Sequence, residues 1–103
     1  MIIMANRSNR YQHNRDANHE IIKCAFQTFG WSVVETSHCK GLLDLIVYKD
    51  NGRFWFVEIK TSEKYKLTGS EETFINNNKL RSVVIWSITQ VQKLTYQNYG
   101  SLQ

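Results

Sequence analysis

The segment DLIVYKDNGRFWFVEIK, residues 44–60, places the strongest constraint on how this chain folds. Two apolar runs rich in β-branched and aromatic residues flank a short Asp-Asn-Gly segment, a pattern typical of two antiparallel strands joined by a tight turn. Asp44, Glu58 and Lys60 lie inside these runs. Charged side chains seldom occupy buried positions without compensation. Either these three groups lie at an exposed sheet edge, or they face a ligand.

The length of the turn decides which charged side chains share a face of the hairpin. A two-residue loop at Asn51-Gly52 would place Asp44 and Glu58 on opposite faces, because side chains alternate along a strand. A three-residue loop, Asp50-Asn51-Gly52 with Gly52 in the left-handed conformation, pairs Asp44 with Glu58 and leaves Lys60 on the same face. The apolar residues fit both registers, so the turn and the charges favour the second.

Two carboxylates that face each other repel unless a positive group neutralises them. A divalent cation would do so, and all-oxygen ligation suits Mg²⁺ or Mn²⁺, which complete their shell with water and substrate phosphate. Lys60, two residues beyond Glu58, could stabilise negative charge on the phosphate or on the attacking oxygen. The three residues therefore predict a site for a metal ion and a phosphate.

The remaining periodicity predicts one α/β domain, residues 16–103, preceded by a basic N-terminal segment, residues 1–15. A helix is expected to begin at Asp16 and end near Gly30, with Ile21, Ile22, Ala25, Phe26 and Phe29 on its apolar side. Three strands, a second helix, a fourth strand and a short last helix follow. Thr68 and Glu71 have the spacing of a capping box at the start of the second helix, which would carry Phe74, Ile75 and Leu80, and Thr89 is the expected cap of the last helix.

Composition narrows the possible partners and compartment. The chain has 103 residues, a formal net charge of +4 and a sequence pI near 9.2, which favours a polyanionic partner. Cys24 and Cys39 lack the spacing of a zinc site, and both are expected to be reduced thiols. No apolar run approaches the roughly 20 residues that a membrane span requires. These features predict an intracellular protein that is not secreted.

The segment GLLDLIVYKDNGRFWFVEIK resembles the active-site hairpin of the PD-(D/E)xK nucleases, in which an acid on one strand is followed across a turn by Glu-x-Lys. Within that superfamily it is most similar to small stand-alone nucleases such as VRR-NUC domains and archaeal-type Holliday-junction resolvases. Gly41 matches a glycine before the acid, and KLTGSEETF resembles the segment that opens the second helix in those domains. Leu43 replaces the motif's proline, and Glu71 stands where glutamine is common.

The resemblance implies a restriction-endonuclease-like core with a mixed four-stranded sheet in the order αβββαβ. It also implies that Asp44 and Glu58 ligate Mg²⁺ or Mn²⁺, that the Ile59 carbonyl adds a ligand, and that Lys60 orients or activates water. Glu20 corresponds to an additional acid in the first helix. The expected activity is Mg²⁺-dependent hydrolysis of DNA, with branched DNA such as Holliday junctions as the substrate.

Nucleic-acid contacts are predicted for five residues near these motifs: Arg15, Lys40, Lys64, Tyr65 and Lys66. A homodimer is predicted because so short a chain has little surface to span a duplex, and symmetric cutting of a junction needs two sites. Two other readings compete with the nuclease. One is a non-catalytic nucleic-acid-binding module that retains the fold, and the other is a structural α/β protein whose acids are surface charges.

Overall fold

The computed structural model describes residues 2–97, with side chains from residue 15 onward. Three helices and four strands occur in the predicted order. They are α1 (Ile2–Thr28), β1 (Ser32–Glu35), β2 (Leu45–Tyr48), β3 (Phe54–Ile59), α2 (Gly69–Asn77), β4 (Ser82–Ile85) and α3 (Ile88–Thr95), with a short 3₁₀ turn at Lys79–Arg81.

The strands form one sheet in the order β1-β2-β3-β4. β2 is antiparallel to both of its neighbours, β1 and β3, whereas β4 runs parallel to β3. A parallel pair requires a crossover connection, and α2 lies on the path between these two strands. The prediction of a mixed four-stranded sheet flanked by helices is confirmed.

The hairpin between β2 and β3 adopts the three-residue register. The Lys49 amide donates to the Arg53 carbonyl at 2.9 Å, and the Gly52 amide returns to the Lys49 carbonyl at 3.1 Å. Gly52 has φ +87°, the left-handed conformation that this loop requires and that side chains disfavour. Tyr48 pairs with Phe54 and Leu45 with Val57. One residue further along the same register, Asp44 lies opposite Glu58.

The hydrophobic core lies between one face of the sheet and helices α1 and α3. Ile22 and Phe26 of α1 are completely buried against Leu45, Val57 and further apolar side chains of the strands. The other face of the sheet carries α2, whose Phe74 ring meets Phe56 edge-on at a centroid distance of 5.1 Å. The acids of the hairpin alternate with the buried residues, so they project toward this second, more open face.

The helix starts differ from the predictions in two places. Helix α1 begins at Ile2 instead of Asp16, so it runs through the predicted boundary between residues 15 and 16. Residues 2–15 contain no proline or glycine to stop a helix, and Asp16 is an interior position. The cap of α3 is Ser87, not Thr89, because Ser87 and Gln90 complete a capping box.

Two apolar residues assigned to helix faces are also exposed. Leu80 lies beyond α2 in the 3₁₀ turn and keeps 86% of its surface exposed, while Ile21 keeps 48%. Cys24 and Cys39 are both free thiols, as expected. Within residues 2–97, no helix is both long and apolar enough to cross a membrane.

Candidate active site at the end of the hairpin

Asp44 occupies a bend immediately before β2, where its side chain replaces a backbone acceptor. The Ile59 amide donates to Asp44 Oδ2 at 2.8 Å, and the Asp44 carbonyl accepts from the Thr36 amide at 2.9 Å. The carboxylate is thereby fixed against β3, with its remaining lone pairs available to another partner. Sequence reasoning placed Asp44 on the correct strand end but could not show this contact.

Glu58 is the most buried acid of the site, with only 5% of its surface exposed. Burial is the main reason that the pKa of Glu58 is raised to about 8, and the negative charges of Asp44 and Glu71 raise it further. Lys60 acts in the opposite direction but does not compensate them. Among the described residues, the positive charge near Glu58 therefore does not offset its burial and the repulsion from the other acids.

Lys60 is held between two acids. Its Nζ lies 3.4 Å from Glu58 Oε2 and 2.9 Å from Glu71 Oε1. Burial works against its charge, but the hydrogen bond to Glu71 and the attraction of Glu58 outweigh burial and raise the pKa of Lys60. The Lys60 carbonyl also accepts from Asn18 Nδ2 at 2.6 Å, which ties α1 to the end of β3.

Glu71 has two roles in the local structure. It completes the predicted capping box of α2, because its Oε1 accepts from the Thr68 amide at 2.9 Å while Thr68 Oγ1 accepts from the Glu71 amide. The same oxygen accepts from Lys60 Nζ. Although partial burial works against its charge, the bonds to Thr68 and Lys60 lower the pKa of Glu71. Helix α2 is thus connected directly to the lysine of the site.

A cavity of about 580 Å³ opens over these residues. Asp44, Glu58, Ile59 and Lys60 line one side of it. The loop after β3 contributes three of the predicted nucleic-acid contacts, and α1 contributes a fourth: Lys64, Tyr65, Lys66 and Arg15. The structure therefore gathers most of the residues predicted for metal and phosphate binding into one concave surface.

Two predicted site residues do not line this cavity. Lys40 is exposed elsewhere, and Glu20 lies beside Cys24 and Ile88 at a separate, apolar groove. The reason is helical geometry: Ile22 points into the core, and Glu20, two residues earlier, is rotated by about 200° from it. The prediction that Glu20 joins Asp44 and Glu58 as a ligand is not supported by its position.

Asp16 and His19 of α1 line the cavity in place of Glu20. The sequence patterns identified neither as a site residue, because Asp16 was expected only to begin the helix and His19 belonged to no motif. The available signal was spacing. Because His19 lies three residues before buried Ile22, it shares the inward side of α1, and Asp16 lies three residues before His19.

His19, Glu20 and Glu35 form a second cluster of potential metal ligands, which can be compared with the acids of the hairpin. Their potential ligand atoms lie within 4.8 Å of one another. However, Glu35 already contacts His19 at 2.8 Å and Lys23 at 3.4 Å, and these partners outweigh its burial and lower its pKa. Glu58, in contrast, is buried beside the charges of Asp44 and Glu71, and Lys60 does not offset the resulting rise in its pKa.

Comparison with known proteins adds one match to this geometry. A solved structure described as a VRR_NUC domain superposes with a TM-score of 0.66 and 26% sequence identity, and the alignment covers 84% of this chain and 98% of that one. The sequence itself matches no protein-family profile and no curated protein. The alignment therefore extends over nearly the whole of that VRR_NUC domain.

Proposed function

The chain resembles the VRR-NUC domains, which are nuclease domains of the PD-(D/E)xK type, in fold and in sequence, and from this premise we propose that it is a Mg²⁺- or Mn²⁺-dependent DNA endonuclease. Its substrate is branched or otherwise structured DNA, with Holliday junctions as the first case to test. The observation that carries the proposal is the convergence of Asp44, Glu58 and Lys60 in one cavity rimmed by Arg15 and the Lys64–Lys66 segment.

The residues of the hairpin fit a hard divalent cation. The carboxylates of Asp44 and Glu58 and the carbonyl of Ile59 offer oxygen ligands, which suit Mg²⁺ and Mn²⁺ better than softer metals. The raised pKa of Glu58 indicates the negative charge that such an ion would neutralise. When bound, the ion supplies Lewis acidity to the phosphodiester and to the attacking water.

The other side chains of the cavity position the phosphate and balance its charge. Lys60 keeps its charge beside both Glu58 and Glu71, so it can stabilise negative charge that develops on the phosphoryl oxygens. Arg15, Lys64 and Lys66 stand on the rim, where they would contact neighbouring backbone phosphates. In this proposal the acids hold the ion, while the lysines and Arg15 hold the nucleic acid.

Symmetric cutting of a junction motivates a homodimer, because two opposed strands require two active sites. The proposal predicts that the protein sediments as a dimer under the conditions in which it cuts a four-way junction at paired positions. A monomer that cuts such junctions with paired incisions would remove the reason for the dimer without affecting the nuclease assignment.

The decisive experiment compares cleavage of labelled four-way junction, flap, single-stranded and duplex DNA, and of a matched single-stranded RNA, in Mg²⁺ and in EDTA. Three variants test the site: Asp44→Asn, Glu58→Gln and Lys60→Met. Asparagine is preferable to alanine at position 44 because its side-chain oxygen can still accept from the Ile59 amide. Each variant should bind DNA yet lose most cleavage, and the losses should not add.

The matched control is Glu72→Gln, an exposed acid of α2 that does not line the cavity. It should cut at the parental rate. If the parent binds DNA but cuts no substrate in either Mg²⁺ or Mn²⁺, the non-catalytic binding module is the correct interpretation. If Glu58→Gln cuts as fast as the parent, the assignment of the site is wrong.

A further inference from the structure

One aromatic ring, Tyr65, lines a part of the cavity that the nuclease chemistry does not use. Tyr65, in the loop between β3 and α2, packs on Trp86 with ring centroids 5.7 Å apart and planes inclined by 39°. Tyr65 lines the same cavity as Asp44 and Glu58 and keeps 36% of its surface exposed. One aromatic surface therefore stands in the cavity, supported from behind by another ring.

Trp86 is a firm support because the backbone around it is tightly bonded. Its amide donates to Gln90 Oε1 at 2.6 Å, and the same oxygen accepts from the Ser87 amide at 3.0 Å. Gln90 Nε2 donates back to the Val84 carbonyl at 3.1 Å. Trp86 directly follows β4, which pairs with β3 at Ile59, so the support lies at the same end of the sheet as the acids.

The flanking side chains match the chemistry of a nucleic-acid strand. Lys64 and Lys66 bracket Tyr65 in sequence, are exposed, and line the same cavity. In a single strand each base lies close to a backbone phosphate. Lysines that flank an aromatic ring can therefore contact the phosphates while the ring stacks on a base. Within a duplex, the faces of each base are already covered by its neighbours. An exposed ring in this place suits a base that has left the stack.

We propose that Tyr65, supported by Trp86, is a binding subsite for one unpaired nucleobase next to the phosphate that Lys60 contacts. The inference rests on the proposed nuclease function and names the feature that its substrate must have. A fully paired duplex cannot fill the subsite, whereas a strand with an unpaired nucleotide beside the cut can. Stacking accepts every base, so the subsite selects structure without selecting sequence.

The first test uses abasic nucleotides. The cut is mapped on a single strand in Mg²⁺, and each nucleotide near the cut is then replaced in turn by an abasic one. One position should reduce kcat/KM by about 5- to 150-fold, the range that a base–aromatic stack is worth. Tyr65→Leu should show the same reduction on the intact strand and no further reduction on that abasic strand, while Tyr65→Phe should behave like the parent.

The matched control is Tyr48→Leu, which removes another exposed tyrosine, at the end of β2 far from Asp44 and outside the cavity. It should leave kcat/KM unchanged on every substrate. If Tyr65→Leu reduces kcat/KM by the same factor on the intact strand and on every abasic strand, then Tyr65 only maintains the conformation of the loop. That result would overturn the inference. Melting temperatures of both leucine variants identify any loss of fold separately.

The second test does not depend on cleavage. In EDTA, a single strand carrying 2-aminopurine at successive positions is bound to the parent and to Tyr65→Leu. One position should be quenched by the parent and restored by the leucine variant. If the parent never cuts but shows this quenching, the nuclease proposal fails and the base subsite stands. If the parent cuts but no position distinguishes the two proteins, the subsite fails and the nuclease stands.

Discussion

Replacing Glu58 with glutamine should stabilise the metal-free protein, and only at higher pH. Burial and the charges of Asp44 and Glu71 raise the pKa of Glu58 from 4.5 to about 8. The folded state therefore holds a proton that the unfolded state releases between these values. The contribution of Glu58 to the free energy of unfolding is therefore greatest below pH 4.5. It falls as pH rises toward 8, by up to about 1.4 kcal/mol for each pH unit.

Glutamine is neutral at every pH. The largest gain in the free energy of unfolding that this shift permits for Glu58→Gln is therefore about 5 kcal/mol, reached above pH 8. Glutamine also gives up the 3.4 Å contact with Lys60, although Lys60 keeps its closer partner, Glu71. We therefore expect Glu58→Gln to be more stable than the parent by about 2–5 kcal/mol near pH 9 and nearly equal to it near pH 4.5. That difference is a large fraction of the stability of a small domain.

The assay is urea unfolding in EDTA at a series of pH values, followed by circular dichroism, with parent and variant measured together. Titrations that both proteins share cancel in the difference. Glu72→Gln is the control, because Glu72 is exposed on α2 and its replacement should change stability by less than about 0.5 kcal/mol at any pH. In excess Mg²⁺ the order should reverse, because the ion stabilises only the parent.

A stability gain for Glu58→Gln that is the same at low and high pH would refute this account, since it would mean that packing and not charge distinguishes the two side chains. A variant less stable than the parent above pH 8 would show that Lys60 fully neutralises Glu58. In that case the site would have no unmet need for a cation, and the metal proposal would lose its physical basis.

Three further predictions concern residues around the site. Glu71→Gln can keep the capping box but loses the charged bond to Lys60, so it should destabilise by about 1–2 kcal/mol at neutral pH. This difference should fade as pH falls through the lowered pKa of Glu71, as urea unfolding would show. Replacing Lys64 and Lys66 with alanine should reduce by about 2 the slope of log affinity against log salt concentration for duplex DNA. Gly52→Ala should destabilise by about 1–2 kcal/mol, measured as a lower urea midpoint, because its φ of +87° is left-handed.

Two of these predictions, those for Gly52 and for the loop lysines, have a control variant that should behave differently. Gly69→Ala lies in the first turn of α2, where an added Cβ meets nothing within 4 Å, and should be neutral or slightly stabilising. Lys40→Ala should leave the salt slope unchanged, because Lys40 does not line the cavity. A slope that responds to Lys40 as strongly as to the loop lysines, or a Gly52→Ala protein as stable as Gly69→Ala, would contradict the structural interpretation.

The hairpin was predictable because its information is local. Asp50, Asn51 and Gly52 specify the turn, the turn specifies the register, and the register fixes which of the charged side chains meet. The same was true of the capping box at Thr68, where two residues at a fixed spacing define the start of a helix. In both cases the deciding contacts lie within a few residues.

The contribution of α1 to the site could not be predicted with the same reliability, because it depends on how the helix is rotated against the sheet. Glu20 and Asp16 are one turn apart and chemically similar, yet only Asp16 lines the cavity. That choice follows from the buried positions of Ile22 and Phe26. The bond from Asn18 to the Lys60 carbonyl joins residues 42 positions apart, a contact that no local pattern encodes.

The contact between Lys60 and Glu71 couples the site to local opening of helix α2. No side chain among residues 69–77 is fully buried, so α2 has little to hold it beyond its cap and the contact of Phe74 with Phe56. Elements of this kind open locally far more often than the whole domain unfolds. An opening of the first turn of α2 would break the 2.9 Å contact between Glu71 and Lys60 and leave the ammonium of Lys60 beside Glu58. Amide exchange in the first turn of α2 should therefore report how often Lys60 is left with Glu58 as its nearer acid.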